Sequence, residues 1–373
     1  MSYALKGLKV LDFSTLLPGP FATMYLADLG AEVVHIESPT RPDLLRLVPP
    51  YAHGQATAHN YLNRNKHSIT LDLKNRDCIE QIKIRISDYD IVVEQFRPGV
   101  MQRLGLDYAT LAEINPRLIY CSITGYGQTG SYKDKAGHDI NYLALSGIAG
   151  HSGRVQGGPP ALGIQVADVA GGSMHAIIAI LAAVIERQRS GMGQYIDISM
   201  TDCAVTLNNM AAAASLAAGV DAQPESGHLN GGTFYDYHQT QDGRYLSIGS
   251  LEPQFMQGLA QALQLPVLLE KGSSLDAQDQ KEVKAAIQEK IRSKTLNEWQ
   301  TIFAALDVCV EPVLHLDEAL TSQLAQERGW VVHVPVKAGE QETEPQLACP
   351  IKFSRSSSRY DFMGQALGES EQW

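Results

Sequence analysis

From Lys9 to about residue 200 the chain alternates short runs of branched apolar residues with longer amphipathic stretches. The apolar runs are Lys9-Val10-Leu11-Asp12-Phe13, Glu32-Val33-Val34-His35-Ile36, Ser68-Ile69-Thr70-Leu71, Asp90-Ile91-Val92-Val93 and Leu118-Ile119-Tyr120-Cys121-Ser122. Continuous apolar strands separated by helical segments predict a parallel sheet covered on both faces. The longest apolar stretch, Met174 to Ile185, is too short on its own to cross a bilayer and predicts a buried core helix.

Beyond Asp202 the pattern changes. An Ala-rich run, Met210 to Ala218, leads into the polar segment Asp221 to Gly227, which predicts a crossover. Two alternating runs, Phe234 to Tyr237 and Arg244 to Ile248, then flank Gln241-Asp242-Gly243, a hairpin signal. Lys281 to Leu306 is helical in pattern. These changes divide the chain into a large Rossmann-like α/β domain at 1–200, completed by 330–373, a linker at 201–226, and a smaller α+β domain at 227–329.

Composition narrows the partners. A net charge of −11 over 373 residues argues against a nucleic-acid binder or an anionic-membrane binder and favours a small-molecule substrate. The five cysteines are scattered with no metal-ligand spacing, so free thiols in a reducing compartment are expected and no metal site is. Met1 to Lys9 lacks a secretory pattern and the C-terminus is not a peroxisomal address, which makes the cytoplasm the expectation. The turn after the first apolar run, Thr15-Leu16-Leu17-Pro18-Gly19-Pro20, carries no GxGxxG, so no dinucleotide is implied.

Two titratable groups stand at the openings of apolar segments. His138 follows Gly137 and precedes Ile140, Leu143 and Leu145; Asp168 opens the small-residue turn Ala170-Gly171-Gly172-Ser173. A histidine at a helix entrance can act as a base near neutral pH, or simply cap or pack. An aspartate at a helix start is commonly an N-cap, yet the same place suits stabilisation of an enolate oxygen.

The run Gly137-His138-Asp139-Ile140-Asn141-Tyr142 resembles the motif of α-methylacyl-CoA racemases in the family III CoA-transferase superfamily, and similarity continues through Glu252 to Pro350-Ile351-Lys352-Phe353-Ser354. The resemblance implies a substrate that is an acyl-CoA thioester, coenzyme A entering as part of it and no permanently bound cofactor. It further implies a homodimer of interlocked subunits. It assigns catalysis to His138 and Asp168, with Glu252, in Leu251-Glu252-Pro253-Gln254-Phe255, orienting the histidine from the partner subunit. Asp139, Tyr235, Gly231 and Gly232 match the substrate pocket. For coenzyme A the matches are Lys66, beside Asn65 where the family usually has glycine, and Arg97 in Phe96-Arg97-Pro98-Gly99. Arg41 and Arg64 are further cationic candidates, and Arg46 and Arg103 read as solvated surface charges.

Two reactions remain open on these residues. In racemisation His138 and Asp168 exchange the α-proton of a 2-methylacyl-CoA on opposite faces of an enolate. In CoA transfer Asp168 is a nucleophile carrying acyl and CoA in turn. The full histidine motif, Glu252 and the short Gly231-Gly232 pair point to racemisation. Ile164, where the racemases have asparagine, points away from it.

Overall fold

The computed structural model describes residues 2–370 and 373, which fall into two units. The larger holds 1–146, 162–207 and 322–373; the smaller holds 147–161 and 208–321.

In the larger unit six strands form one sheet: β1 (Lys9–Asp12), β2 (Glu32–Glu37), β3 (Lys66–Thr70), β4 (Ile91–Glu94), β5 (Ile119–Thr124) and β6 (Tyr195–Ser199). Their order is β3-β2-β1-β4-β5-β6, and every neighbouring pair is parallel. Both neighbours of β1 meet it in register, Leu11 beside Val34 and beside Val92. The order is that of a doubly wound fold, in which the strand sequence reverses between β1 and β4 and a crevice opens at their carboxyl ends. Helices cover both faces. On one, α1 (Pro18–Asp28) packs on β1, β2 and β4. On the other, Leu11, Phe13, Val34, Val92 and Tyr120 join Ile82, Ile86, Leu106 and Leu111 in one core cluster.

The sixth strand, Tyr195–Ser199, is absent from the apolar runs of the sequence because it is an edge strand whose first three residues are partly or fully exposed. The apolar run Met174–Ile185 belongs to α3 (Met174–Ser190), which continues a π-helical turn, Ala167–Ser173. Together they span 24 residues, long and apolar enough by length and composition to cross a membrane, which corrects the shorter span read from the sequence. The helix packs on β5, β6 and α1, the position of a core helix in such a sheet.

The segment 201–226, expected as a linker, is largely helical, with helices Met200–Leu207 and Asn209–Ala218, and the unit boundary falls between Leu207 and Asn208. The smaller unit contains the hairpin β7 (Asp236–Gln239) and β8 (Tyr245–Ile248), extended by β9 (Val310–Pro312). Its core joins Phe234, Leu246 and Ile248 to apolar residues of α4 (Pro253–Leu263), α5 (Ala277–Ile291) and α6 (Leu296–Phe303). The Trp299 indole at its centre donates to the Ile291 carbonyl at 2.7 Å.

The C-terminal part returns to the larger unit through an antiparallel pair, β10 (Val331–Pro335) and β11 (Thr343–Leu347). It then runs back along the sheet edge, with the N–H of Arg359, Gly364 and Ser370 donating to the carbonyls of Asp28, Asn60 and Ser68.

Candidate active site

The crevice between the carboxyl ends of β1 and β4 is occupied by a cleft of about 370 Å³. Its walls come from the turn after β1 (Thr15, Leu16, Pro18), the turn after β4 (Gln95, Phe96, Arg97), the end of β5 (Thr124 to Tyr126), and both His138 and Asp168.

His138 sits one residue ahead of α2 (Asp139–Leu145), in extended conformation (φ −130°, ψ 174°), and its N–H donates to Asn141 Oδ1 at 3.0 Å. The approach to it is fixed by aromatic packing. The Tyr142 hydroxyl donates to the Gly137 carbonyl at 2.6 Å, and the Tyr142 ring meets Tyr126 edge-on with centroids 5.3 Å apart. A Cβ at Gly137 would lie 2.7 Å from the Tyr126 hydroxyl oxygen, so the glycine before the histidine is a steric requirement. The imidazole is thereby presented at an exposed edge of the cleft.

Asp168 lies in the π-helical turn, a local geometry that is rare and concentrates at functional sites. Asp139 fixes it. One oxygen of that carboxylate, Oδ1, accepts from the N–H of Ala167 at 2.6 Å and from the N–H of Asp168 at 3.0 Å. The residue next to His138 thus ties the peptide of Asp168 to the start of the histidine's helix. Burial, unopposed by any cation, together with the Asp139 charge, pushes the Asp168 carboxyl up to about 7. A half-buried carboxyl titrating there can give or take a proton at neutral pH.

Three cations line the cleft with these groups: Arg97, Lys133 and Lys135, all exposed. The two lysines lie in the polar run before His138, where nothing in the local sequence sets them apart from solvated surface charges. Lys135 Nζ sits 3.6 Å from the Tyr132 ring centroid, a cation–π contact that orients it. Together they favour an anionic ligand.

Other expected positions are elsewhere. Asn65 and Lys66 are buried inside the larger unit and do not offer themselves to a ligand. Lys66 Nζ donates to the Pro20 carbonyl (2.9 Å), Asn63 Oδ1 (3.0 Å) and Asp12 Oδ2 (3.3 Å). Asn65 has φ 60°, the left-handed region that favours glycine, and its side chain joins Asp28 to the backbone of Arg359 and Asp361. Arg64 is sealed in an ion pair with Asp28 at 2.5 Å. Arg46, expected in solvent, is only 12 % exposed and pairs with Glu37. Arg41 and Arg103 are exposed, Arg41 on the loop after β2, and neither lines the cleft. Asp139 acts as the clamp described above and not as part of the cleft surface.

Glu252, Tyr235, Gly231 and Gly232 belong to the smaller unit. Glu252 precedes α4 with its side chain exposed and not spent on capping. Tyr235 is 38 % exposed. The Gly231 carbonyl accepts from Lys284 Nζ at 2.7 Å, and the Gly232 N–H donates to the Gly227 carbonyl at 3.1 Å, so this pair is part of a tight turn. Among the described residues no group of three or more His, Cys, Asp or Glu is placed to hold a metal ion.

A doubly wound sheet with a cationic cleft, a histidine and a neutral-titrating carboxyl at its switch point defines an enzyme site for an anionic substrate. The pattern of CoA-transferase family III matches residues 5–369, and the chain belongs to that family, whose members act on CoA thioesters. The chain is 37% identical over 347 residues to alpha-methylacyl-CoA racemase of Mus musculus, covering 92% of this chain and 85% of that protein. It is also 32% identical to succinyl-CoA:glutarate CoA-transferase of Homo sapiens, covering 95% and 82%. A crystal structure of a CAIB/BAIF family protein from Brucella suis superposes with a TM-score of 0.84 at 29% identity, over 99% of this chain and 97% of that one. Racemases and CoA-transferases are both among its relatives.

Proposed function

We propose that this chain is an acyl-CoA racemase or epimerase that exchanges the α-proton of a 2-methylacyl-CoA. The observation that carries the reading is the pairing of His138 and Asp168 in one cleft with Asp168 titrating near neutrality. The thioester acidifies the α-hydrogen; the His138 imidazole takes that proton, the electron pair moves onto the thioester oxygen, and Asp168 delivers its own proton to the opposite face of the planar enolate. The reverse passage uses Asp168 as base and His138 as acid. Arg97, Lys133 and Lys135 receive the phosphates of the CoA portion.

Glu252 and Tyr235 enter this reading from the partner subunit of an interlocked homodimer, with Glu252 orienting the His138 ring. Exposed isoleucines on α3, Ile178 at 64% and Ile185 at 58%, support self-association. Co-expressing His138→Ala chains with Glu252→Gln chains and isolating the mixed dimer tests it: that dimer regains one intact site, and no recovery over either parent removes the partner's glutamate from the site.

One observation favours CoA transfer instead: a CoA-transferase relative, 32% identical, matches 95% of this chain. Incubation in deuterated water with a 2-methylacyl-CoA, then with a CoA donor and a free acid, separates the two. Deuterium at C2 with loss of configuration and no acceptor thioester fits racemisation. Acceptor thioester formation that survives His138→Ala and is abolished by Asp168→Ala replaces it with transfer.

A further inference from the structure

In doubly wound sheets the turn after the first strand often meets a ligand with its backbone N–H groups, the arrangement that grips phosphate at a helix start. Here the turn after β1 occupies that place, and three of its N–H groups are already bonded within the protein. The Ser14 N–H donates to Asp12 Oδ1 at 2.9 Å, the Leu16 N–H to Asp43 Oδ2 at 2.9 Å, and the Gly19 N–H to Gln95 Oε1 at 3.0 Å. Pro18 and Pro20 have no N–H to offer. Asp12 and Asp43 are buried. The wall facing the cleft is therefore left to the side chains of Thr15, Leu16 and Pro18.

Leu16 adopts φ 63°, the left-handed region that a residue with a branched side chain avoids. Its surroundings must impose that conformation. The Asp43 carboxylate is built to do so: Oδ2 takes the Leu16 N–H and Oδ1 takes the Leu45 N–H, each at 2.9 Å. The Asp43 N–H in turn donates to Glu37 Oε1 at 3.0 Å, and Glu37 is held by the Arg46 guanidinium.

We infer that Asp43 is a positioning residue: its carboxylate holds Leu16 left-handed in the cleft wall, so that this wall meets the neutral, apolar acyl part of a bound thioester and not its phosphates. The inference rests on the acyl-CoA reading above and adds a division of labour within that cleft, with an apolar wall after β1 and a cationic rim at Arg97, Lys133 and Lys135.

Calorimetric titration of the full chain with a 2-methylacyl-CoA and with free CoA tests it, using Asp43→Ala, Asp43→Asn and Leu16→Gly. Asp43→Ala is expected to weaken acyl-CoA binding about tenfold while free CoA stays within about twofold, the size expected for losing one leucine side chain from an apolar contact. Asp43→Asn, which keeps an acceptor oxygen for the Leu16 N–H, retains the preference for acyl-CoA. Leu16→Gly adopts φ 63° without cost and keeps its N–H, so it is expected to lose the same preference with an unchanged or raised thermal midpoint, and it decides the matter if Asp43→Ala does not fold. An unchanged preference in Leu16→Gly, or equal losses for acyl-CoA and free CoA in both variants, overturns the positioning role while leaving the substrate reading intact. Failure of the unaltered chain to bind either compound overturns the substrate reading itself, and this inference with it.

Discussion

The larger unit contains two sets of charged residues of the same types, and their fates are opposite. Behind the sheet edge, Arg64 and Lys66 are sealed with Asp28 and Asp12, every cation matched by two or more oxygens. Arg97, Lys133 and Lys135 are exposed along the cleft that also holds His138 and Asp168, and among the described residues none of them is ion-paired to Asp168. Buried Asp12 and half-buried Asp168 show what the difference does. Burial alone would raise Asp12, yet Lys66, His35 and Ser14 outweigh it and hold that carboxyl well below the usual range. At Asp168 burial meets no cation, and Asp139 adds a like charge, so the carboxyl rises to about 7. Asp12, matched by Lys66, is held as a structural charge, whereas Asp168, without such a partner, is left able to carry a proton.

The sharpest way to break this contrast is Asp168→Asn. Loss of configuration at C2 should fall by about 10²–10⁴-fold, the range for removing a general acid–base group. His138 keeps its own face of the substrate, so one enantiomer should still take up deuterium with retention. Loss of both uptake and inversion would mean that Asp168 does more than carry a proton, as a transferase nucleophile does. The sealed set predicts the reverse pattern. Arg64→Met leaves the buried Asp28 carboxyl without its cation and should cost about 3–5 kcal/mol in denaturant unfolding, with turnover per folded molecule unchanged. A loss of activity without a loss of stability would move Arg64 back among the ligand contacts.

These sets were unequally legible in the sequence. His138 and Asp168 stand out because each opens an apolar segment, but that local pattern fits capping and packing as well, and it is the resemblance of Gly137 to Tyr142 to the racemase motif that singles them out. Arg64, Asn65 and Lys66 could not be sorted from Arg97, because their partners are distant in the chain: the Arg359 and Phe362 backbone closes on Asn65, the Leu347 carbonyl takes Arg64, and Asp12 and the Pro20 carbonyl take Lys66. Five of the six strands were readable as branched apolar runs, whereas the edge strand Tyr195–Ser199 is half solvated and lacks that signal. Leu16 carries no mark of its left-handed backbone, since leucine is an ordinary choice in an apolar wall and only the distant Asp43 imposes the conformation.

Smaller effects are expected on the exposed side of the contrast. Lys133→Gln or Lys135→Gln removes one solvent-screened charge, and each should raise KM for an acyl-CoA about twofold to fivefold, with kcat little changed and the difference shrinking as salt is added. An effect on kcat that salt does not diminish would place that lysine at the reacting atoms.

The smallest change tests how the carboxyl is tuned. Asp139→Asn keeps an amide oxygen that can accept the N–H groups of Ala167 and Asp168, so the clamp on the turn survives while the like charge disappears. With burial as the remaining cause of the shift, the Asp168 carboxyl moves down from about 7. Inversion requires a proton on the histidine–aspartate pair, so its rate falls as pH rises through the point where Asp168 loses that proton; in Asp139→Asn this alkaline limb should move to lower pH. The folded state holds the Asp168 proton more tightly than the unfolded chain does, so ionisation disfavours folding between about pH 4 and 7, and the variant should lose less stability across that window. Asp139→Ala also removes the clamp and should slow inversion at every pH. A limb that stays in place in Asp139→Asn, measured by loss of configuration across pH 5 to 9, would show that some other group carries the proton whose loss stops the reaction.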